Sequence, residues 1–254
     1  MISAAVLGST GYVGTELVYI LSKKRNVKIK YLGSENSENT NIKSIDSRIK
    51  KKLPLIKLNS DFDDINIDVL FLALPHTVSQ LYVKKFYNKI KIIDLSADFR
   101  LNNKSVYNKT YQTTHLCPEL LNKFVYGLYD INFDLIKKSK NVAIPGCYPT
   151  SILLPLIPLL KKNIINTSSL IIDSKSGYSG AGKKFNIKNI LKKNNDNNFY
   201  NYNTNCHRHI CEINQELQKN SNSLVKFSFN PHILPIFRGI MTTIYCDLNK
   251  SITK

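Results

Sequence analysis

The chain has 254 residues and carries 36 lysines and arginines against 18 aspartates and glutamates, a formal net charge of +18. Its length fits one large domain or two modest ones, and its apolar runs are too short for a transmembrane helix. The lysines are scattered in pairs and form no single stripe, so the charge predicts a surface that attracts anionic small molecules, not a nucleic-acid interface.

The cysteines and the N-terminus indicate the compartment. Five cysteines, an odd number without a CxxC pair, are typical of a reducing environment. The opening stretch "MISAAVLGSTG" has no basic region before its apolar residues, so a signal peptide is not expected. We therefore expect a cytoplasmic protein without membrane or nucleic-acid partners.

The first half alternates predicted strands and helices. Strands are predicted at 3–7, 27–33, 67–74, 91–96 and 141–144, and helices over 15–24 and 76–88. Residues 67–74, "IDVLFLAL", are continuously apolar, as in a strand that is buried on both faces of a parallel sheet. This order is typical of a doubly wound, Rossmann-type α/β domain, which we assign to residues 1–146.

The second half has longer predicted strands than the first. Strands are predicted at 168–177, 223–230 and 239–248, helices over 150–160 and 210–219, and an asparagine-rich loop at 192–205. We expect an α+β substrate domain with a mainly antiparallel or mixed sheet over residues 147–254.

The stretch "GSTGYVG", residues 8–14, follows a strand and opens a helix, which favours a dinucleotide site. Its glycines permit a tight turn and let a pyrophosphate rest on the helix N-terminus. The alternative is a plain strand–helix turn. Downstream, "GSEN" leaves the nucleotide open, because Ser34 suits a 2′-phosphate whereas Glu35 suits a 2′-hydroxyl.

The stretch "IPGCYPT", residues 144–150, places Cys147 between a short strand and an apolar helix. Proline suits the first turn of a helix, so Cys147 is expected near a helix N-terminus. The unpaired N–H groups and the helix dipole favour a thiolate there. The alternative is a small buried hydrophobe.

Two further segments carry candidate chemistry. The loop "SKSGYSGAGKK", residues 174–184, is small and basic, which favours an anion, although a plain surface turn is the alternative. In "CHRHICE", His207 and His209 face opposite sides of an extended chain, so one of them is expected to face a reacting centre. The neighbouring Cys206 and Cys211 lack the spacing of a zinc site, and no metal is expected.

Taken together, these motifs resemble the N-acetyl-γ-glutamyl-phosphate reductase family, which is related to the aspartate-semialdehyde dehydrogenases. The resemblance runs over 3–247 and is carried by "GSTGYVG", "LALPHTVS", "IIDLSADFR", "YQTTHLCPEL", "VYGL", "PGCYPT", "SKSGYSGAG", "HRHICEI" and "PHILPIFRGI". It implies NADPH-dependent reduction of an acyl phosphate to a semialdehyde and phosphate in arginine biosynthesis, through a thioester on Cys147.

The resemblance also implies site residues. His207 is the implied acid–base with His209 orienting it or binding substrate, and the reverse order is nearly as favourable. The implied cofactor-binding residues are Gly8, Ser9, Thr10, Gly11, Tyr12, Val13, Gly14, Ser34, Pro75, Ser179 and Gly180. The implied substrate-binding residues are Arg100, whose guanidinium suits the leaving phosphate, and Lys175, Ser176, Arg208 and Arg238. NADP is the expected cofactor with NAD as the alternative, and a full-length chain is expected to be a homo-oligomer.

Two departures from the family keep alternatives open. Glu35 stands where an arginine often follows the serine, which weakens the NADP assignment. The chain ends before the family's final glycine- and asparagine-containing segment, so we expect a C-terminally short form that positions the nicotinamide poorly. The alternatives are the same chemistry on an aminoadipyl phosphate, or a non-catalytic nucleotide-binding remnant.

Overall fold

The structure is a computed structural model that describes residues 1–183 and 199–249. The chain divides into two compact units. Unit 1 comprises residues 1–107, 113–127 and 132–144, and unit 2 comprises 108–112, 128–131 and the chain from 145 onwards. No helix in the described ranges is long and apolar enough to cross a membrane.

Unit 1 is built on a six-stranded parallel sheet of order β2-β1-β3-β4-β6-β5. The strands are β1 (Ile2–Leu7), β2 (Val27–Gly33), β3 (Val69–Leu72), β4 (Lys91–Asp94), β5 (Val125–Tyr126) and β6 (Asn141–Ala143). The helices of the first half are α1 (Tyr12–Ser22), α2 (Ile42–Ile45), α3 (Val78–Phe86), α4 (Lys104–Tyr111) and α5 (Tyr129–Lys138).

Alternate residues of β1 supply the two hydrophobic layers of this sheet. Val6 packs with Val18 and Leu32 on one side, whereas Leu7 packs with Leu70 and other residues on the opposite side. Strand order reverses direction at β1, with β2 on one flank and β3 on the other. In open α/β sheets, ligands bind at this switch point, beyond the carboxyl ends of the strands.

Unit 2 contains a four-stranded sheet of order β10-β7-β9-β8, with antiparallel and parallel pairs. Its strands are β7 (Leu170–Gly177), β8 (Tyr200–Asn201), β9 (Phe227–Leu234) and β10 (Ile240–Tyr245). The helices are α6 (Cys147–Lys161) and the next one described, which we call α7 (His209–Lys219). Within unit 2, α6 packs against α7 and β10.

The predicted fold class is confirmed: a Rossmann-type parallel sheet is followed by a mixed sheet. One local prediction is wrong. Tyr200 and Asn201 lie in the predicted 192–205 loop but form β8, because β9 offers backbone partners at Ile233 and His232. A polar, asparagine-rich segment gives no sign of such pairing. Residues 192–198 of that loop, like 184–198 as a whole, lie outside the described residues.

Candidate functional site

The glycine turn after β1 is packed so tightly that a side chain at either of two glycines would clash with the backbone. Gly8 has φ +74°, and a Cβ there would lie 2.2 Å from the Ala73 carbonyl oxygen. A Cβ at Gly14 would lie 2.1 Å from the Gly8 carbonyl oxygen. Gly11 caps α1 with φ −67°, and a Cβ there would meet the Gly8 oxygen only at 3.6 Å. The space beside Gly11 is therefore left open by the protein, as a phosphate cradle requires.

Hydroxyl groups close the turn against β2. Ser9 is fully buried, and its Oγ donates to the Gly33 carbonyl oxygen over 3.0 Å. The Thr10 and Ser34 hydroxyl oxygens lie 2.7 Å apart, and Thr15 Oγ1 donates to the Ser9 carbonyl. Ser9 thus closes the turn from inside, whereas Thr10 is only half-buried and its hydroxyl contacts the buried Ser34.

Asn59 connects the turn with the end of β2. Its Oδ1 accepts the Gly8 N–H over 3.1 Å, and its Nδ2 donates to the exposed Glu35 carboxylate over 2.8 Å. The remaining predicted nucleotide residues of unit 1 line the same region. Tyr12 is half-buried, Val13 is exposed at the start of α1, and Pro75 is exposed in the turn after β3.

Arg100 also belongs to unit 1, where its guanidinium joins the ends of two strands. Its Nε donates to the Ile144 carbonyl over 2.8 Å, and its Nη2 donates to the Leu95 carbonyl over 3.1 Å. The side chain is largely buried. These contacts hold the segments that follow β4 and β6, and the predicted phosphate contact stays a prediction.

Cys147 is the first residue of the fifteen-residue helix α6, as its sequence neighbours indicated, and it is exposed. Gly146 caps the helix, and its N–H donates over 2.8 Å to Oε1 of Glu212, a carboxylate that is fully buried. A thiol at this position lies at the positive end of the helix dipole, which stabilises a thiolate.

Two histidines and two tyrosines are grouped near this turn in unit 2. The prediction that His207 and His209 face opposite sides is wrong, because the chain is not extended here and their ring centroids lie 4.8 Å apart. The ring centroid of Tyr148 lies 5.4 Å from that of His207 and 5.9 Å from that of His209. The Tyr148 and Tyr202 hydroxyl oxygens lie 3.1 Å apart. Burial is the main cause that raises the pKa of both tyrosines, so both phenols stay neutral and keep their O–H groups.

The surroundings of His207 define its protonation. Burial, aided by the nearby Arg208 charge, lowers the pKa of His207 to about 4. Its Nδ1 accepts the His209 backbone N–H over 3.1 Å, so a neutral His207 carries its proton on Nε2. His207 is therefore a neutral hydrogen-bond donor at physiological pH and a poor base.

The predicted substrate residues of β7 lie on opposite faces of the strand. Ser176 is buried on the face that packs toward α6, where Ser174 and Ser151 both contact Thr242. Lys175 points to the other face and pairs with Asp173 over 3.2 Å. The structure therefore groups Ser176, but not Lys175, with the Cys147 turn.

The remaining predicted residues lie in the turns after β7 and β9 and before α7. Ser179 N–H donates to the Phe237 carbonyl, Gly180 is exposed, and a Cβ at Gly177 would meet Ile236 O at 2.8 Å. Arg208 is the exposed cap residue of α7, and the exposed Arg238 guanidinium lies 5.5 Å from the Phe237 ring centroid. Within 1–183 and 199–249, no cluster of three or more potential ligands could hold a metal ion.

Sequence reasoning missed Glu212, Tyr148, Tyr202 and Asn59. Glu212 and Gly146 are 66 residues apart and Asn59 and Gly8 are 51 apart, so no local pattern shows either bond. A signal existed for Tyr148, which directly follows the cysteine inside a quoted motif.

The family of the chain follows from its similarity to known proteins. Residues 3–139 match the family model described as "semialdehyde dehydrogenase, NAD binding domain", and 147–254 match "semialdehyde dehydrogenase, dimerisation domain". An N-acetyl-γ-glutamyl-phosphate reductase of Ehrlichia canis is 42% identical over 99% of this chain and 73% of its own length. One of Caldicellulosiruptor saccharolyticus is 44% identical over 100% of this chain and 74% of its own. The chain belongs to the N-acetyl-γ-glutamyl-phosphate reductase family.

Solved structures agree on the fold. Aspartate semialdehyde dehydrogenase II of Vibrio cholerae, complexed with ASA, superimposes with a TM-score of 0.70 at 14% identity, over 99% of this chain and 76% of that chain. The enzyme of Candida albicans with NADP gives a TM-score of 0.64 at 18% identity, over 100% of this chain and 73% of that chain. Membership of the reductase family makes the chain an oxidoreductase with a nicotinamide-nucleotide-binding domain, and the resemblance inferred from its motifs is confirmed.

Proposed function

We propose that this chain reduces N-acetyl-γ-glutamyl phosphate to N-acetylglutamate semialdehyde and phosphate, with NADPH as the reductant, in arginine biosynthesis. The observation that carries the proposal is the exposed Cys147 at the N-terminus of α6, with two buried histidines whose rings contact its neighbour Tyr148. The names of relatives at 42–44% identity over nearly the whole chain support the substrate.

In the first step, the Cys147 thiolate attacks the acyl carbon, the C–S bond forms, and the C–O bond to phosphate breaks. The helix N-terminus lowers the cost of the thiolate, and first-turn N–H groups suit an oxyanion at the same place. The product is a thioester on Cys147 and free inorganic phosphate.

A base must remove the thiol proton and a conjugate acid must later return one. The sequence favoured His207 in this role with His209 in support. The lowered pKa of His207 and its Nε2 proton favour the reverse order, with His209 as the base and His207 fixing the His209 backbone through Nδ1. Glu212 would hold the Gly146 peptide in place during the attack.

The cofactor fits the glycine turn of unit 1, where Gly8 and Gly14 pack tightly and the side of Gly11 is open. When bound, the reduced nicotinamide supplies the hydride that converts the thioester to the aldehyde and releases the Cys147 thiolate. The Thr10–Ser34 hydroxyl pair suits the adenosine ribose end. Ser179, Gly180 and Ser176 remain proposed contacts of cofactor or substrate, and Arg100 and Arg238 proposed contacts of the substrate anions.

A homo-oligomer is part of the proposal. The family model matched by 147–254 carries the description "dimerisation domain". The β7–β10 face that is turned away from α6 exposes Ile171, Met241 and Tyr245, which are 48%, 62% and 57% exposed. A second copy would bury these three apolar side chains, which share the face with the Lys175–Asp173 pair.

Steady-state kinetics test the proposed function. The chain should oxidise N-acetylglutamate semialdehyde only when phosphate and oxidised nucleotide are both present, and it should reduce the corresponding acyl phosphate. The aminoadipyl analogue serves as the competing substrate. A higher kcat/KM for the aminoadipyl compound would overturn the substrate assignment. Nucleotide binding without turnover on either compound would indicate a non-catalytic binding module.

A further inference from the structure

The turn between β3 and α3 holds a strained residue. Thr77 directly precedes α3 and has φ +73° and ψ −33°. A β-branched residue rarely adopts positive φ, because its Cβ crowds the backbone, and such strain persists only where the surroundings enforce it. Asparagine accounts for most of the other non-glycine residues with positive φ in the described chain, and it tolerates this region far better.

Asp98 enforces the conformation of Thr77. Its Oδ1 accepts the Thr77 N–H over 2.9 Å, and the same oxygen accepts Gln80 Nε2 over 2.9 Å and the Tyr107 hydroxyl over 2.6 Å. Asp98 is fully buried, and its own N–H donates to Ser96 Oγ. The carboxylate therefore gathers three donors on one oxygen, and one of them is the backbone of the strained residue.

A role in stability alone explains this carboxylate poorly. Its Oδ2 is buried with no hydrogen-bond partner among the described residues. An unsatisfied buried carboxylate oxygen costs free energy. Strain at Thr77 adds to that cost, and such combinations are concentrated at functional sites.

The strained turn lies against the proposed nucleotide cradle. A Cβ at Gly8 would be 2.2 Å from the Ala73 carbonyl oxygen, so the segment after β3 touches the glycine turn after β1. β1 and β3 are neighbours on one flank of the switch point, where ligands of open α/β sheets bind. Two exposed residues, Pro75 and His76, lie between Ala73 and Thr77 in this turn.

We propose that Asp98 is a positioning residue for the dinucleotide: by holding the Thr77 N–H it fixes the 75–77 turn in the conformation that contacts the bound cofactor. This inference rests on the proposed nucleotide site and adds a residue that does not itself touch the ligand. When the bond is weakened, Thr77 relaxes to negative φ, the peptide planes of the turn rotate, and the contact surface is lost.

A double-mutant cycle with calorimetric titration of NADP⁺ into the full chain tests the inference. Asp98→Asn keeps the shape but removes the charge, so NADP⁺ affinity should fall roughly tenfold. Glycine adopts positive φ without strain, so in a Thr77→Gly background the same change should cost less than about threefold. Tyr107→Phe removes another donor to the same oxygen and should change affinity less than about twofold, which makes it the matched control.

Measuring Asp98→Asn in the unmodified chain and in Thr77→Gly distinguishes a positioning role of Asp98 from a purely structural role. An equal loss of affinity in both backgrounds, or no loss in the first, would overturn the proposal. If Asp98→Asn fails to fold, hydrogen exchange at the Thr77 amide of the unmodified chain gives the answer. The proposal expects slow exchange that becomes slower still when NADP⁺ is added, and faster exchange on addition would overturn it. Failure of the chain to bind NADP⁺ at all would count against the nucleotide site itself, not only against Asp98.

Discussion

An added methyl group at Gly11 or at Gly14 should weaken NADP⁺ binding in both cases, but only the change at Gly14 should also destabilise the fold. At Gly11 the backbone has φ −67°, which any residue adopts, and an added Cβ would meet Gly8 O at an ordinary 3.6 Å. Gly11→Ala should therefore change the free energy of unfolding by less than about 1 kcal/mol. A bound pyrophosphate would fill the space of that methyl group, so NADP⁺ binding should weaken by roughly 1–3 kcal/mol, or about 5- to 150-fold.

At Gly14 the protein itself occupies the space. The added Cβ would lie 2.1 Å from the Gly8 carbonyl oxygen, so α1 would have to move away from the turn by roughly 1 Å. Gly14→Ala should lower the free energy of unfolding by roughly 1–3 kcal/mol and also abolish tight nucleotide binding.

Urea denaturation and calorimetric titration of the same preparations measure both quantities. We expect Gly11→Ala to lose affinity at nearly unchanged stability and Gly14→Ala to lose both. If Gly11→Ala binds NADP⁺ as tightly as the unmodified chain, the pyrophosphate does not rest on this turn. If Gly14→Ala is as stable as the unmodified chain, the packing argument is wrong.

Cys147→Ser should abolish phosphate-dependent semialdehyde oxidation at nearly unchanged NADP⁺ affinity, because a hydroxyl is a weaker nucleophile; retention of roughly a tenth of the activity would contradict this. Arg100→Lys should raise the KM for phosphate more than the Kd for NADP⁺, since an ammonium lacks the two-pronged contact, and an unchanged KM would remove Arg100 from the site. His207 has a pKa lowered from 6.5 to about 4. The free energy of unfolding should therefore decrease as the pH falls from 6.5 toward 4, by up to about 3 kcal/mol. In urea titrations, the free energy of unfolding of His207→Asn should depend less steeply on pH over this range, and an equally steep dependence would show that His207 is not the cause.

Much of the fold follows from local sequence. The alternating, β-branched stretch 27–33 forms β2 over the same residues, and the glycine–cysteine–proline pattern places Cys147 at the first residue of α6. Both patterns depend on neighbours in the chain, since periodicity sets the strand and proline suits a helix start. Strand boundaries were predicted less well, because pairing with neighbouring strands decides where a strand ends. Of the apolar run 67–74, only Val69–Leu72 form β3.

The parts of the site that could not be predicted depend on contacts between distant residues. Nothing near Thr77 in the sequence indicates its positive φ, and the carboxylate that accepts its N–H belongs to Asp98, 21 residues away. The choice between two histidines likewise depends on burial and on which ring nitrogen accepts a hydrogen bond. Residue type identified His207 and His209 as candidates, and only the packing around His207 shows that this ring is neutral and carries its proton on Nε2.

In the proposed reaction, Cys147 carries the acyl group as a thioester. Mass spectrometry of the full chain, mixed with N-acetyl-γ-glutamyl phosphate in the absence of reduced nucleotide, detects this intermediate. We expect a mass gain of one acyl group on the peptide that contains Cys147, removal of that mass by hydroxylamine, and no gain in Cys147→Ser. An acyl group on another residue, or turnover without any acylated Cys147, would show that the thioester mechanism is wrong.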